Sequence, residues 1–404
     1  MLNLAQKWFR YLDWVIIGVL FLLAIYSCAA LFSTTDGKTG SDVPTHIVSK
    51  QILFEVLGFI SMFVTAKLDY RALRKRNRWI YGVTVFLLIV VYGMPRRFGA
   101  HSWIPLGLFA LQPSEFAKLG LIIAIATYMA NMDESESSTY GLRKTFAISG
   151  LFIVPFVLTL KEPALGQALV MFAIVLFMYM AFAKRSHLTI LLAGLALVIF
   201  GLTLIALNFP DQSTTFIQNV LIKHHVLKAY QADRIVVWLN PNYDPTGAGY
   251  NVRQAQMAVG SGQVFGEGFL TSRLTGGGWI PNQWTDFIFT AIAEQFGFIG
   301  SSVLILTFLV LLHRLTRIAT ISLDPFGTYL ILGIVGMFGF QVFENIGMNM
   351  YLSPATGITL PFISYGGSSL IANFVAVGLA LSVYRRYQSM RYTSNSMPYS
   401  GVSL

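Results

Sequence analysis

Residues 14–33 read WVIIGVLFLLAIYSCAALFS, an uncharged apolar run of the ~20 residues that an α-helix needs to cross a bilayer. Nine further stretches have the same character: 51–66, 79–94, 115–131, 145–160, 165–183, 187–208, 286–312, 326–348 and 367–385. Composition agrees, with 55% hydrophobic and only 11% charged residues in a chain of 404. The expectation is an all-α integral membrane protein: one polytopic unit over 1–404 with ten transmembrane helices. Lys7 and Arg10 precede the first run as they would in a secretion signal. The run is longer than a signal core, however, so it is expected to stay as a helix.

The net charge of +10 suggests nucleic acid until the charges are placed. Seventeen of the 28 lysines and arginines fall on one side of the expected spans, among them Lys67, Arg71, Arg74, Lys75, Arg76 and Arg78. Most of the cations on the other side sit in one long loop, which counts little. The bias puts both termini in the cytoplasm, and an even number of spans requires them to share a side. The 67–78 cluster reads as a topology anchor on anionic membrane lipids, not as a nucleic-acid site. Cys28 is the single cysteine, which excludes an intramolecular disulfide and a cysteine-based metal site.

Loops are unequal. Residues 209–283 form one long extracellular loop, rich in aromatics, glycine and proline, with helical periodicity over 216–239 that suggests a helix at the outer interface. The Met94–Pro113 segment is too broken for a span and too apolar for water. It reads as a re-entrant or interface-hugging loop with Trp103 at headgroup level, and hints at an outward-facing polar cavity. Gly260, Gly262, Gly266 and Gly268 do not follow the dinucleotide-loop spacing and read as tight turns. The tail over 389–404 is polar and expected to be disordered.

Several polar residues at membrane depth need a reason. Glu115 and Lys118 share a face at i,i+3. They are either a structural ion pair or part of a cationic lining for an anionic ligand. Asp286, in Trp284-Thr285-Asp286-Phe287-Ile288-Phe289, lies where the long loop enters a span. Apolar surroundings would raise its pKa and suit a general base; a helix N-terminal aspartate is the alternative. Glu294 would lie about 80° around the same helix and could line the same cavity. Asn345 and Asn349, at i,i+4, could simply bond between helices. Two prolines, a glycine pair and several hydroxyls over 353–369 form another irregular outer segment.

Together these segments resemble the SEDS family of bacterial cell-wall proteins, and within it the elongation-type RodA members more than the relatives FtsW and SpoVE. The resemblance rests on Gly99–Ile104, Gln112–Lys118, Lys161-Glu162-Pro163, Leu239-Asn240-Pro241, Gly249-Tyr250-Asn251, Ala258–Gly268, Thr285–Phe289 and above all Thr356–Ser369. It implies a ten-helix fold around an outward-facing cavity and a peptidoglycan glycosyltransferase that polymerises lipid II on the outer face of the bacterial cytoplasmic membrane. It also implies a class B penicillin-binding protein, a transpeptidase, as partner. The family's catalytic aspartate maps onto Asp286, and polar cavity positions onto Glu115, Lys118 and the Ser364, Ser368 and Ser369 turn. One position departs from the family: Ala164 stands where Lys-x-Pro-Asp-Leu-Gly places a carboxylate, which would weaken activity unless Glu162 replaces it.

On this reading Asp286 takes the proton of the attacking 4-hydroxyl. Lys118, with some of Arg96, Arg97, Arg253 and Arg273, would meet the charge on the pyrophosphate. A divalent ion such as Mg or Mn could bridge the groups, although no motif dictates one. A lipid II flippase, or a non-catalytic scaffold that activates the transpeptidase, are the alternatives from other functional classes.

Overall fold

The structure, a computed structural model, describes residues 10–35, 46–95, 142–162, 164–182, 283–395, most of 102–133 and of 229–281, and single positions between 189 and 217. Three apolar helices open the chain: α1 (Trp14–Thr35), α2 (Ile47–Lys67) and α3 (Arg71–Val90). Two two-residue strands follow, β1 (Ile104–Pro105) and β2 (Ala110–Leu111), paired antiparallel. Then come α4 (Pro113–Asp133), α5 (Leu142–Lys161), α6 (Leu165–Phe182), α7 (Ala229–Leu239), α8 (Tyr250–Ser261), α9 (Ile288–Thr320), α10 (Pro325–Asn349) and α11 (Gly367–Asn395). Nine of these coincide with expected spans, and six of the nine are long and apolar enough to cross a membrane on length and composition. The span expected at 187–208 lies largely outside the described residues.

The all-helical fold stands, and among the described residues the broken 94–113 segment adds only the short β1–β2 ladder. Two expectations need correction. The helix expected from 286 begins at Ile288, leaving Asp286 in the turn before it. Residues 389–395 of the expected disordered tail continue α11, and 396–404 lie outside the described residues.

The core lies where α10 packs against α4, α6 and α9, flanked by α1 on α9, α3 on α4 and α11 along α2. Phe308, Phe326, Phe338, Phe362 and Phe374 are fully buried there. Ionic contacts gather at one end of the bundle: Arg314–Asp13 at 3.2 Å, Arg386–Asp69 at 2.6 Å and Arg71–Asp324 at 3.0 Å. Asp324 also caps α10, with Oδ1 accepting from the Gly327 amide at 2.9 Å and Pro325 in the first turn. The starts of α4, α6, α9 and α11 lie at the opposite end.

The glycine-rich loop after α8 is sewn to a kink in α9. Gly297 adopts φ 61°, and a Cβ there would lie 2.4 Å from the Gly266 nitrogen. The amides of Phe298 and Ile299 instead donate to Gln263 and Val264 carbonyls at 2.8 and 3.1 Å. Only glycine permits this approach of two backbones.

Candidate active site

Asp286 is held by its main chain. The side-chain amides of Asn345 and Asn349, one turn apart on α10, donate to its carbonyl at 2.9 and 3.1 Å. Asn345 also donates to Ile358 at 2.7 Å, and Thr290 donates to the Asn349 oxygen at 2.5 Å. From the other flank, Ser364 Oγ donates to the Thr285 carbonyl at 2.6 Å, and the Tyr365 amide to that of Trp284 at 2.9 Å. A turn broken by proline and glycine leaves carbonyls without helical partners, and these buried side chains satisfy them. The two asparagines therefore position the Asp286 main chain, and Asn349 also joins α10 to α9 through Thr290, as its place at membrane depth suggested.

The carboxylate faces a small cavity of about 60 Å³, whose lining includes Arg234 and Val237 of α7, Asn251 and Val252 of α8, Met348 and Gly357. Such a space takes a few waters, not a sugar. Gly357, at φ 76°, sits between the two charged groups: its missing Cβ would lie 2.9 Å from Arg234 Nη1 and 3.1 Å from Asp286 Oδ2. Those two atoms therefore lie within about 6 Å of each other. Burial pushes the Asp286 carboxyl above its ordinary range, while Arg234 and a bond from Thr285 pull it partly back. Tyr351 fastens α7 over the site by donating to the Val237 carbonyl at 2.5 Å.

Lys118 and Glu115 form a fully buried ion pair at 2.7 Å, and Gln167 at the start of α6 donates to the other Glu115 oxygen at 2.7 Å. Next to Gln167, Gly166 packs on the segment that carries Gly357: a Cβ there would meet Ile358 at 2.5 Å and the Thr356 carbonyl at 3.1 Å. Gln167, which holds the ion pair, and Asp286 thus both lie next to one irregular segment over 356–358. Glu115 and Lys118 are not among the described lining of the Asp286 cavity.

Other expected site residues do different work. Glu294 is buried away from the cavity, accepting from the Leu274 and Thr275 amides at 2.7 and 2.8 Å and from Thr275 Oγ1 at 2.5 Å. Because Asp286 precedes the helix, the angular relation assumed for the two acids does not apply. Ser368 ties the β-ladder to α11, donating to Ala110 at 2.7 Å and accepting from the Gln112 amide at 3.1 Å. Ser369 bonds locally to Gly366. Arg253 and Arg273 are exposed on the outer loop, and Trp103 is half-buried beside the ladder. Arg96 and Arg97 lie outside the described residues. Ala164 is half-buried at the α5–α6 corner. Beside it, Glu162 is buried with both carboxylate oxygens lacking hydrogen bonds, and burial pushes it up to about 8. Among the described residues no three His, Cys, Asp or Glu side chains group as metal ligands. The neighbour of Asp286 is a guanidinium, which does not suit a bound cation, and no step below passes through a metal.

Arg234 is the residue that sequence reasoning missed. Its signal was faint: a cation within the apolar periodicity of the 229–239 helix, facing a partner far along the chain.

The model of the FtsW, RodA and SpoVE cell cycle protein family matches residues 8–389. The chain belongs to this family. It is 36% identical to stage V sporulation protein E of Bacillus subtilis, with 91% of this chain and 94% of that protein covered. The peptidoglycan glycosyltransferase RodA of Treponema pallidum is 31% identical over 91% of this chain and 96% of its own length. A solved peptidoglycan synthase complex, described as coordinating polymerization and crosslinking, contains a chain with TM-score 0.72 and 28% identity, covering 93% of this chain and 98% of that one. The rod shape determining protein RodA of Thermus thermophilus follows at TM-score 0.62 and 26% identity, covering 93% and 97%.

Proposed function

We propose that this chain is a peptidoglycan glycosyltransferase that polymerises lipid II, with Asp286 as the general base. The observation that carries the reading is the Asp286 carboxylate, poised beside Arg234 in a turn that five hydrogen bonds to main-chain carbonyls hold rigid. The names of its relatives support the same reaction class. Asp286 accepts the proton of the acceptor 4-hydroxyl as that oxygen attacks the anomeric carbon of the donor. The bond to the polyprenyl pyrophosphate breaks with inversion, and the pyrophosphate leaves as an anion. Cations would offset that charge, and Lys118 and Arg234 are candidates at this end of the bundle among the described residues.

In this reading the Asp286 end faces outward and the end rich in ion pairs faces the cytoplasm, with both termini. A class B penicillin-binding protein is the proposed partner. Reconstituting the purified chain with lipid II tests the assignment. Glycan strands are the expected product; transbilayer movement of lipid II without polymer would contradict it.

A further inference from the structure

At the end of the bundle away from Asp286, a cavity of about 770 Å³ opens between the start of α3, the end of α4 and the start of α10. Four cations line it, Arg71, Arg74, Lys75 and Arg78, against one carboxylate, Asp324. That carboxylate is already committed. It accepts from the Tyr70 hydroxyl, from Arg71 Nε at 3.0 Å and from the Gly327 amide at 2.9 Å. Burial works to raise its pKa, but these donors outweigh burial and hold it below the usual carboxylate range. Arg71 is thereby neutralised. Arg74 is engaged as well, with Nη2 donating to the Asn131 amide oxygen at 2.6 Å. Lys75 and Arg78 are exposed and have no carboxylate partner among the described residues. The cavity therefore carries more positive charge than its own contacts use.

Below it, one face of α3 has no covering neighbour among the described residues. Positions 71, 75, 78 and 82 follow the spacing of one helix face. At Gly82 a Cβ would meet nothing within 4 Å. Trp79, Val83 and Phe86 stand exposed beside this strip, Trp79 at 80%. An exposed tryptophan one residue from an arginine marks the level where hydrocarbon meets headgroups. Charge above and open apolar surface below on the same helix call for one amphiphilic occupant. A soluble anion would satisfy the cations and leave the strip unused.

We propose that this cavity binds the phosphate headgroup of an anionic glycerophospholipid, gripped by Lys75 and Arg78 with Arg74 alongside, while an acyl chain lies along α3 over Gly82. The guanidinium can hold two phosphate oxygens at once and the ammonium a third. This binding site is separate from the polymerase chemistry and does not depend on it.

Native mass spectrometry on the full chain in detergent tests the proposal, with phosphatidylglycerol and phosphatidylcholine of identical acyl chains as probes and inorganic phosphate as the soluble competitor. The parent should retain phosphatidylglycerol in preference. Each cation near an anionic surface is worth on the order of fivefold in affinity, so Lys75→Gln with Arg78→Gln should cut that preference about 25-fold. Gly82→Leu should weaken it too, whereas Arg76→Gln, exposed but outside the cavity, should keep it. If the pair variant fails to fold, Lys75→Gln alone should still lower the preference about fivefold. Equal retention of the two lipids by the parent, or undiminished preference in the lysine and arginine variants, would overturn the proposal. So would displacement by inorganic phosphate with Gly82→Leu silent, which would mark a soluble-anion site.

Discussion

Arg234→Gln separates a guanidinium that tunes the base from one that merely braces the loop. Arg234 Nη1 and Asp286 Oδ2 lie on either side of the Gly357 Cβ position, at 2.9 and 3.1 Å from it. Glutamine keeps a polar tip but removes the charge. An opposite charge within ~4–6 Å holds a carboxylate pKa down by roughly 1–3 units. Burial already pushes Asp286 up, and Arg234 is the main opposing influence. A base works when deprotonated, so activity is lost as pH falls through its pKa. Raising that pKa moves the acid limb of the kcat/KM profile for lipid II polymerisation toward higher pH in this variant. Below the displaced limb the rate falls about tenfold for each unit of pH, and alkaline pH should restore most of it. A uniform loss at every pH, with the acid limb unmoved, would refute the reasoning and make Arg234 a contact to substrate or a purely structural residue.

Gly357→Ala should cost about 1–2 kcal/mol in thermal or denaturant stability, because alanine is strained at φ 76°. It should also slow polymerisation on the order of tenfold, since the guanidinium and carboxylate must part by roughly half an ångström to make room. Lys118→Met leaves Glu115 buried and unpaired, with an expected loss of about 3–5 kcal/mol by thermal melting, and Lys118→Met with Glu115→Gln should recover part of it. Ala164→Asp should raise lipid II polymerisation without changing the yield of folded protein. Burial pushes Glu162 up to about 8, which favours its neutral form over the charged carboxylate expected at the Ala164 position. Glu162→Gln abolishing activity, with Ala164→Asp adding nothing, would reverse that conclusion.

The transmembrane helices were legible because hydrocarbon imposes one requirement, an apolar run of about 20 residues, that composition alone displays. The turn at Asp286 was legible for a similar reason: a carboxylate between aromatic and β-branched residues at a span's edge calls for either a helix N-terminal role or a site. What failed were relations between residues. Glu294 looked like a second cavity acid because the helix was extended back to 286; with the helix starting at Ile288, Glu294 staples the outer loop instead. Ser364, Ser368 and Ser369 read as a polar lining, yet each hydroxyl donates to a main-chain carbonyl. Sequence shows that such hydroxyls are present, not that the backbone claims them first. Arg234 was invisible for the opposite reason. Its contact with Asp286 depends on how α7 folds over a turn far along the chain, and no local pattern records that.

The most direct measurement is the single-turnover rate of lipid II polymerisation by the purified protein and by Asp286→Asn in the same vesicles. General base catalysis contributes about 10²–10⁴-fold, so the variant should fall by that factor with its melting temperature and partner binding kept. Asparagine retains the main-chain carbonyl that Asn345 and Asn349 hold, so the turn should survive the change. A variant that polymerises lipid II at close to the parent rate would contradict the account and leave Asp286 as a structural residue of the turn.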